Sequence, residues 1–501
     1  MVIEREASAP LASRASAGAV WLTLQNWVTR LSGFVTVAIL ARLLTPGEFG
    51  LVAIAMTVLS MVYLFADLGF TTYVVQATTL TPRTTTTTFW ASTGLGLLLA
   101  GVLIVAAVPI AGFLGTPDAA AVIMAVAPAV AMVALAATPT ALMRRGMRFR
   151  ALSIQGAAAA VIGQVCALVL AFSGFGVWAL IAQILVSQGM TLLLVWSTAR
   201  WWPRGWPDRK LLPEIMGFGS KVVGVDFAAM ARLWAENAAV TRVLGVAALG
   251  QFGIAQRLVF TVRDLMGSAI APVSTVVFAR VRGDSGRLAA GYGRSLALSF
   301  MVMAPALACV AVLAPILVPL LFGPQWTASI LPAVALALAG IVGLSATLDH
   351  GLFYGLGKPG RWLVYAVVIE TVQLAVTLVV VRYGLDAVAW GFVATSAVAT
   401  VVRWFLVAAL LELPVRRVVG LSIRPLLGVA VSIAVGALAA AVLDGVLGAP
   451  AFVVLLAVGP LVVLAHLLMA RILVPAALAD ARSLLLSRFG RGSRMPTEVP
   501  E

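Results

Sequence analysis

The feature that most limits what this chain can fold into is a succession of long, almost uncharged apolar runs. A helix rises about 1.5 Å per residue, so about 20 apolar residues cross the hydrocarbon core of a bilayer. On that ruler about fourteen runs qualify, at 18–40, 49–70, 89–113, 118–138, 152–172, 176–197, 215–241, 250–278, 296–321, 328–350, 361–383, 387–411, 420–443 and 451–472. They are unbroken rather than alternating, which excludes a membrane β-barrel, whose strands alternate lipid-facing and lumen-facing residues. The expected fold is all-α, a polytopic membrane protein. Composition decides the same point. Only 11% of the 501 residues are charged and 62% are hydrophobic, too little polar cover for a fold in water. The first run is longer than a signal-peptide core and no cleavage pattern follows it, so it reads as a retained span.

The loops test this map. With the N-terminus inside, Arg83, the Arg144–Arg150 cluster, Arg200 to Lys210, Arg280 to Arg294, Lys358, Arg361, Arg416, Arg417, Arg424 and the C-terminal arginines all fall on the cytoplasmic side. Only Arg42, Arg242 and Arg382 fall outside, as the positive-inside rule requires. One span too many or too few would scramble the alternation, so both termini are expected in the cytoplasm. The net charge of +15 is therefore a topology signal, and no nucleic-acid partner is expected. Cys166 and Cys309 sit in separate apolar runs, with no disulfide or metal spacing. No cofactor is expected. Trp201, Trp202, Trp206, Trp326 and Trp362 read as interfacial anchors. The Thr84–Thr88 run reads as a capped, solvated turn.

A weak repeat is visible. Arg42-Leu43-Leu44 followed by Phe49-Gly50 compares with Arg242-Val243-Leu244 followed by Phe252-Gly253, with a three-residue insertion in the second copy. One copy follows the first span and the other the seventh. This divides the chain into a tail at 1–16, an N-lobe of six spans at 17–198, a basic linker at 199–214, a C-lobe of six spans at 215–412, a helix pair at 413–473 and a tail at 474–501. Parallel repeats of this kind place a substrate site between lobes near the midplane.

The same residues carry a family likeness. Ile39-Leu40-Ala41-Arg42-Leu43-Leu44-Thr45-Pro46-Gly47-Glu48-Phe49-Gly50, then Ala66-Asp67-Leu68-Gly69, resembles the opening of the Wzx-like polysaccharide flippases of the multidrug/oligosaccharidyl-lipid/polysaccharide (MOP) superfamily. Gly174 to Leu180, Leu249-Gly250-Gln251-Phe252, Pro272 ahead of Ala279-Arg280, Phe322-Gly323-Pro324-Gln325-Trp326 and Gly384-Leu385-Asp386 continue it to about residue 411. The last two spans depart from the twelve of many Wzx-like members and are closer to the lipid II flippase branch. The resemblance implies two six-helix bundles with alternating access, in the inner cell membrane. It implies transfer of a polyprenyl-diphosphate-linked oligosaccharide from inner to outer leaflet, coupled to protons or sodium. Membrane lipid is a partner by position, and glycosyltransferases and a polysaccharide polymerase are possible neighbours in the pathway.

Charges inside the spans are the candidate site, because a charge at mid-bilayer costs about 2.5–3.5 kcal/mol on insertion scales and persists where it is used. A diphosphate crossing a low-dielectric region needs cations facing a wet cavity. The cavity candidates are Arg30, Lys221, Arg232, Arg257 and Arg263, and the coupling candidates are Asp226, Glu236, Asp264 and Glu370. At 100° per residue, Lys221 and Arg232 share a face of the seventh span, with Glu236 near it. Arg257 and Asp264 share a face of the eighth. The six cations within spans, with Arg403 as the last, are balanced by as many acids, Asp67 and Asp349 among them, so structural pairing competes with cavity lining. Arg403 is expected to snorkel, Asp67 and Asp349 to be interfacial, and His466 to be packed and hydrogen-bonded. Glu370, alone in its apolar run, suits a coupling carboxylate as well as an interhelical hydrogen bond. Three rivals stay open: a cation-coupled exporter of small molecules, a membrane enzyme joining lipid-linked sugars, and a scaffold for a synthesis complex. Short outside loops without histidine speak against the enzyme.

Overall fold

A computed structural model describes residues 11–77, 79–267, 278 and 285–475, without the side chains at 11–20, 22, 214, 218–226, 228, 229, 265–267 and 285. Every regular element among the described residues is helical, in fourteen rods matching the apolar runs. They are α1 Leu11–Leu43, α2 Pro46–Gln76, α3 Pro82–Leu114, α4 Ala119–Arg145, α5 Phe149–Phe172, α6 Val177–Ala199, α7 Leu212–Leu244, α8 Val246–Gly267, α9 Ser285–Phe322, α10 Pro324–Gly355, α11 Pro359–Tyr383, α12 Leu385–Leu411, α13 Val415–Val446 and α14 Ala451–Leu473. Eleven of them are long and apolar enough to cross a membrane by length and composition among the described residues; α1, α7 and α8 complete the fourteen. The basic loop holding Arg280 and Arg282, Pro272 and the C-terminal tail lie outside the described residues.

Local chemistry sets the rod ends. Thr45 and Glu48 form a capping box at the start of α2, with Pro46 in the first turn where its missing N–H costs nothing. The other carboxylate oxygen of Glu48 accepts the Val177 backbone N–H at 3.1 Å, tying the start of α6 to the same corner. α2 breaks at Leu68 and Gly69, both left-handed, and resumes at Phe70. Asp67, expected to be interfacial, accepts from Thr71 across that break, Oγ1 at 2.6 Å and the backbone N–H at 3.3 Å.

The chain divides into two compact units. The first comprises Met1–Ile254, Leu321–Trp326 and Thr377–Leu385. In it α5 packs between α1 and α6, and α3 packs on α4. Small residues allow the close crossings that lipid-embedded helices rely on: a β-carbon at Gly96 of α3 would stand 2.3 Å from that of Ala134 on α4. Thr84 to Thr88 are not a solvated turn. They form the buried first turns of α3, 0–7% exposed, and hold the linker. The Thr87 hydroxyl accepts the Asp208 N–H at 2.8 Å, the Thr86 hydroxyl accepts the Arg204 N–H at 3.2 Å, and Trp90 Nε1 donates to the Gly205 carbonyl at 3.2 Å. A run of hydroxyls thus satisfies backbone groups of a loop that has no secondary structure of its own.

One end of the first unit has local twofold character. Gly50 of α2 faces the Val246 carbonyl oxygen, which a β-carbon would approach to 1.9 Å, and Gly250 of α8 faces the Pro46 carbonyl oxygen, where the distance would be 2.0 Å. Arg42, ending α1, donates to the Leu321 carbonyl at the end of α9 at 3.3 Å. Arg242, ending α7, donates to the Phe113 carbonyl at the end of α3 at 2.9 Å. Exchanging the repeats exchanges both pairs of contacts. The register is an unbroken offset in which Gly250, not Gly253, answers Gly50. The inferred insertion is absent, because sequence matching followed the Phe-Gly dipeptide while packing follows the glycine that lets two backbones touch. Trp326 closes this end. It is fully buried rather than an interfacial anchor, lies edge-on to Phe49 at 5.1 Å, and donates Nε1 to the Ala41 carbonyl at 2.8 Å.

The second unit comprises Ala255–Leu320, Thr327–Val376 and Asp386–Glu501. Its core runs along α9 and α10, with Tyr292, Phe300, Leu307, Leu352 and Phe353 all buried. α13 and α14 pack on each other. Gly436 of α13 gives room to Val462 of α14 and Val312 of α9, where a β-carbon would come within 2.3 and 3.3 Å.

Candidate functional site

Arg232 and Glu236 occupy one face of α7, four residues apart, and form an ion pair. Glu236 is buried at 4% exposure, and its second oxygen lies 3.4 Å from the Thr377 hydroxyl, a donor. On the next position Asn237 donates Nδ2 to the Thr57 hydroxyl of α2 at 2.8 Å. A small crevice beside these groups is lined by Ile54, Thr57, Trp234, Asn237 and Thr241. The two charges lie on one turn of α7 and offset each other locally before any ligand arrives. Arg30 lies near the middle of α1 in the same unit and is half-buried. The side chains of Lys221 and Asp226 lie outside the described residues.

The remaining predicted residues belong to the second unit. Arg257 is exposed on α8. Arg263 is also exposed and lies 4.9 Å from the ring centre of Phe260. Asp264 and Glu370 are half-buried on α8 and α11.

Sequence reasoning missed a buried polar cluster among the described residues. Arg403 does not snorkel and Asp349 is not interfacial: they are 4% and 1% exposed and pair at 3.0 Å. Four helices of the second unit supply the cluster. The Arg403 guanidinium donates to the Tyr365 hydroxyl of α11 at 2.7 Å and to the Thr400 hydroxyl at 2.6 Å, one turn back on α12. Its Nε also lies 3.4 Å from the Ser345 hydroxyl on α10. Tyr292 of α9 donates to the other carboxylate oxygen of Asp349 at 2.7 Å. A buried ion pair is tolerated only when its remaining donors and acceptors are met in this way. The signal in the sequence was an opposite charge on two helices two rods apart, beside the break at Gly343-Leu344-Ser345, which α10 uses to bring Asp349 inward. His466 is buried as expected, but neither ring nitrogen makes a hydrogen bond of ordinary geometry.

Helical rods of this length and hydropathy, with charged residues set inside them, define a multi-pass membrane protein. The structure matches the lipid II flippase MurJ in its inward closed conformation with a TM-score of 0.72, over 93% of this chain and all of that one, at 12% identity. It matches an inward-facing multidrug resistance MATE family transporter of the MOP superfamily with a TM-score of 0.58, over 77% of this chain and 96% of that one, at 18% identity. At such identities the likeness speaks to fold.

Residues 39–331 match the polysaccharide biosynthesis protein family, and the chain belongs to that family. Among its relatives are the succinoglycan biosynthesis transport protein ExoT of Rhizobium meliloti (strain 1021), 29% identical over 325 residues, and the lipopolysaccharide biosynthesis protein WzxC of Escherichia coli (strain K12), 23% identical over 352 residues. The matched segments cover 65% of this chain and 65% of the first relative, and 68% of this chain and 69% of the second.

Proposed function

We propose that the protein carries a polyprenyl-diphosphate-linked oligosaccharide from the inner to the outer leaflet for surface polysaccharide assembly, by alternating access between six-helix lobes at 17–198 and 215–412. The observation that carries this reading is ionised side chains held inside membrane rods, with Arg232–Glu236 and Arg30 in one unit, in a chain whose family builds polysaccharides. The names of the relatives agree: one is a succinoglycan transport protein, the other a lipopolysaccharide biosynthesis protein. In this reading Arg30, Lys221, Arg232, Arg257 and Arg263 serve the diphosphate, and Asp226, Glu236, Asp264 and Glu370 serve a coupling proton or sodium ion. The diphosphate competes with Glu236 for Arg232, so cargo and acid exchange one cation. The protein is a transporter rather than an enzyme, acting in the inner membrane beside glycosyltransferases and a polymerase.

The decisive experiment is a lipid extract from a strain lacking the protein. One polyprenyl-diphosphate oligosaccharide is expected to accumulate while one surface polysaccharide disappears. Unchanged lipids and glycans would favour a small-molecule exporter, the reading that the MATE likeness keeps in play. In the complemented strain, Arg30→Ala and Arg232→Ala are each expected to cut transport about tenfold or more, the worth of one charge-assisted hydrogen bond, with unchanged protein in the membrane. Wild-type polysaccharide from both variants would remove these residues from the cargo path. Orientation has its own test: a reporter fused after Ala449 is expected outside and one after Arg488 inside. Finding both on one side would break the assigned topology.

A further inference from the structure

Two adjoining cavities of the second unit play no part in the transport reading. One, of about 450 Å³, opens among Arg416, Arg417 and Arg424 of α13, Gly293 of α9 and Pro475 beyond α14. The other is a narrow apolar crevice that shares Ala297, Arg424, Leu473 and Val474 with the first and closes on Pro425, Gly428 and His466. Close packing makes the crevice narrow: a β-carbon at Gly428 would stand 3.3 Å from that of Met469 on α14, and one at Gly293 would stand 3.2 Å from the Leu421 side chain. Among the described residues, no acidic side chain lines either cavity.

His466 supplies the second observation. It is 3% exposed and lines the crevice. The Phe300 carbonyl faces it, yet neither ring nitrogen achieves hydrogen-bond geometry. A buried imidazole whose nearest carbonyl falls short of hydrogen-bond geometry is poorly compensated for its lost hydration, so a further polar group at the foot of the crevice would be favourable.

We propose that this is a binding site for an anionic phospholipid with two phosphates, of the diphosphatidylglycerol class. Arg416 and Arg424 are eight residues apart, about 12 Å along a helix at 1.5 Å per residue. A diphosphate, whose phosphorus atoms share one oxygen, reaches one end of that row. Two phosphates joined through a glycerol reach both. The acyl chains then leave along the apolar wall of Leu473 and Val474, and an ester carbonyl offers His466 an acceptor. Basic pockets between spans on the cytoplasmic side favour such headgroups, and the positive-inside pattern puts these arginines there.

The test uses the full chain, purified in neutral detergent, with native mass spectrometry after addition of diphosphatidylglycerol, phosphatidylglycerol, phosphatidylcholine or farnesyl diphosphate. Wild type is expected to retain diphosphatidylglycerol at least tenfold better than phosphatidylcholine. The triple variant Arg416→Gln/Arg417→Gln/Arg424→Gln is expected to lose that preference, the triple lysine variant to keep part of it, and His466→Leu to weaken it a few-fold. If the triple glutamine variant does not elute like wild type on size exclusion, Arg424→Gln alone is used, with a loss of about threefold expected. Equal retention of phosphatidylcholine overturns the proposal, and so does full binding by a well-folded glutamine variant. Equal binding of phosphatidylglycerol removes the need for paired phosphates and also overturns it. Displacement of the lipid by equimolar farnesyl diphosphate would make this a cargo site instead.

Discussion

Replacing Arg403 with alanine is expected to destabilise the protein by about 3–5 kcal/mol, because it leaves the Asp349 carboxylate buried without its countercharge. Tyr292 remains as a donor to that carboxylate, but one neutral hydroxyl does not offset a lost guanidinium. The loss reaches beyond one pair. Tyr365 and Thr400 lose their donor, so α11 and α12 lose contacts that also position α10. Asp349→Ala is expected to be at least as damaging, since the buried cation then has only hydroxyl partners. The apolar double variant Arg403→Met/Asp349→Leu is expected to recover most of the stability, because replacing a buried ion pair with hydrophobes of similar volume is often neutral. Reversible unfolding of the purified protein in detergent, followed for all three variants, checks this. A single variant within about 1 kcal/mol of wild type would mean that the pair adds little beyond what its neighbours supply.

The second large effect is expected where α2 meets α8. Gly50→Ala and Gly250→Ala each push a methyl group into a backbone carbonyl, at 1.9 and 2.0 Å, and backbone cannot swing aside as a flexible side chain can. Overpacking of this kind costs about 1–3 kcal/mol and forces the helices apart. Gly253→Ala is the internal control. Nothing lies within 4 Å of the β-carbon it adds, so it is expected to be neutral or to gain up to about 1 kcal/mol of helix propensity. The comparison also tests the repeat. If Gly253 rather than Gly250 proves intolerant, the unbroken register is wrong and the inserted one returns. Thermal stability of the three purified variants gives the answer, and surface polysaccharide in the complemented strain shows whether parting α2 from α8 also stops transport.

Much of the architecture was legible in the order of residues because a bilayer imposes a length and a polarity on every element that crosses it. Eleven of the fourteen rods meet that rule by length and composition among the described residues. The Thr45–Glu48 box and the Arg232–Glu236 pair, neither among the expectations above, each link residues about one turn apart, where spacing fixes proximity. The candidate site was legible only to that extent. The sequence named the charges within the spans, and depth matched only those on consecutive spans, not those on helices far apart along the chain.

Tertiary structure decided everything that depends on a partner far along the chain. Arg403 near a span end and Asp349 near another look like residues that reach for water. Only the bend of α10 and the approach of α9, α11 and α12 turn them into a sealed network. Thr84 to Thr88 look like a polar turn, and only the return of the linker at residues 204–208 makes their hydroxyls buried acceptors. Trp326 looks like an interfacial ring until the Ala41 carbonyl offers its indole a buried acceptor. By itself, then, the sequence determined the all-helical, multi-pass character of the protein, because insertion depends on the summed hydropathy of each segment taken alone. Which polar groups are used, and by what, was decided by packing, because a hydrogen bond or ion pair needs a few tenths of an ångström of agreement between helices that hydropathy does not encode.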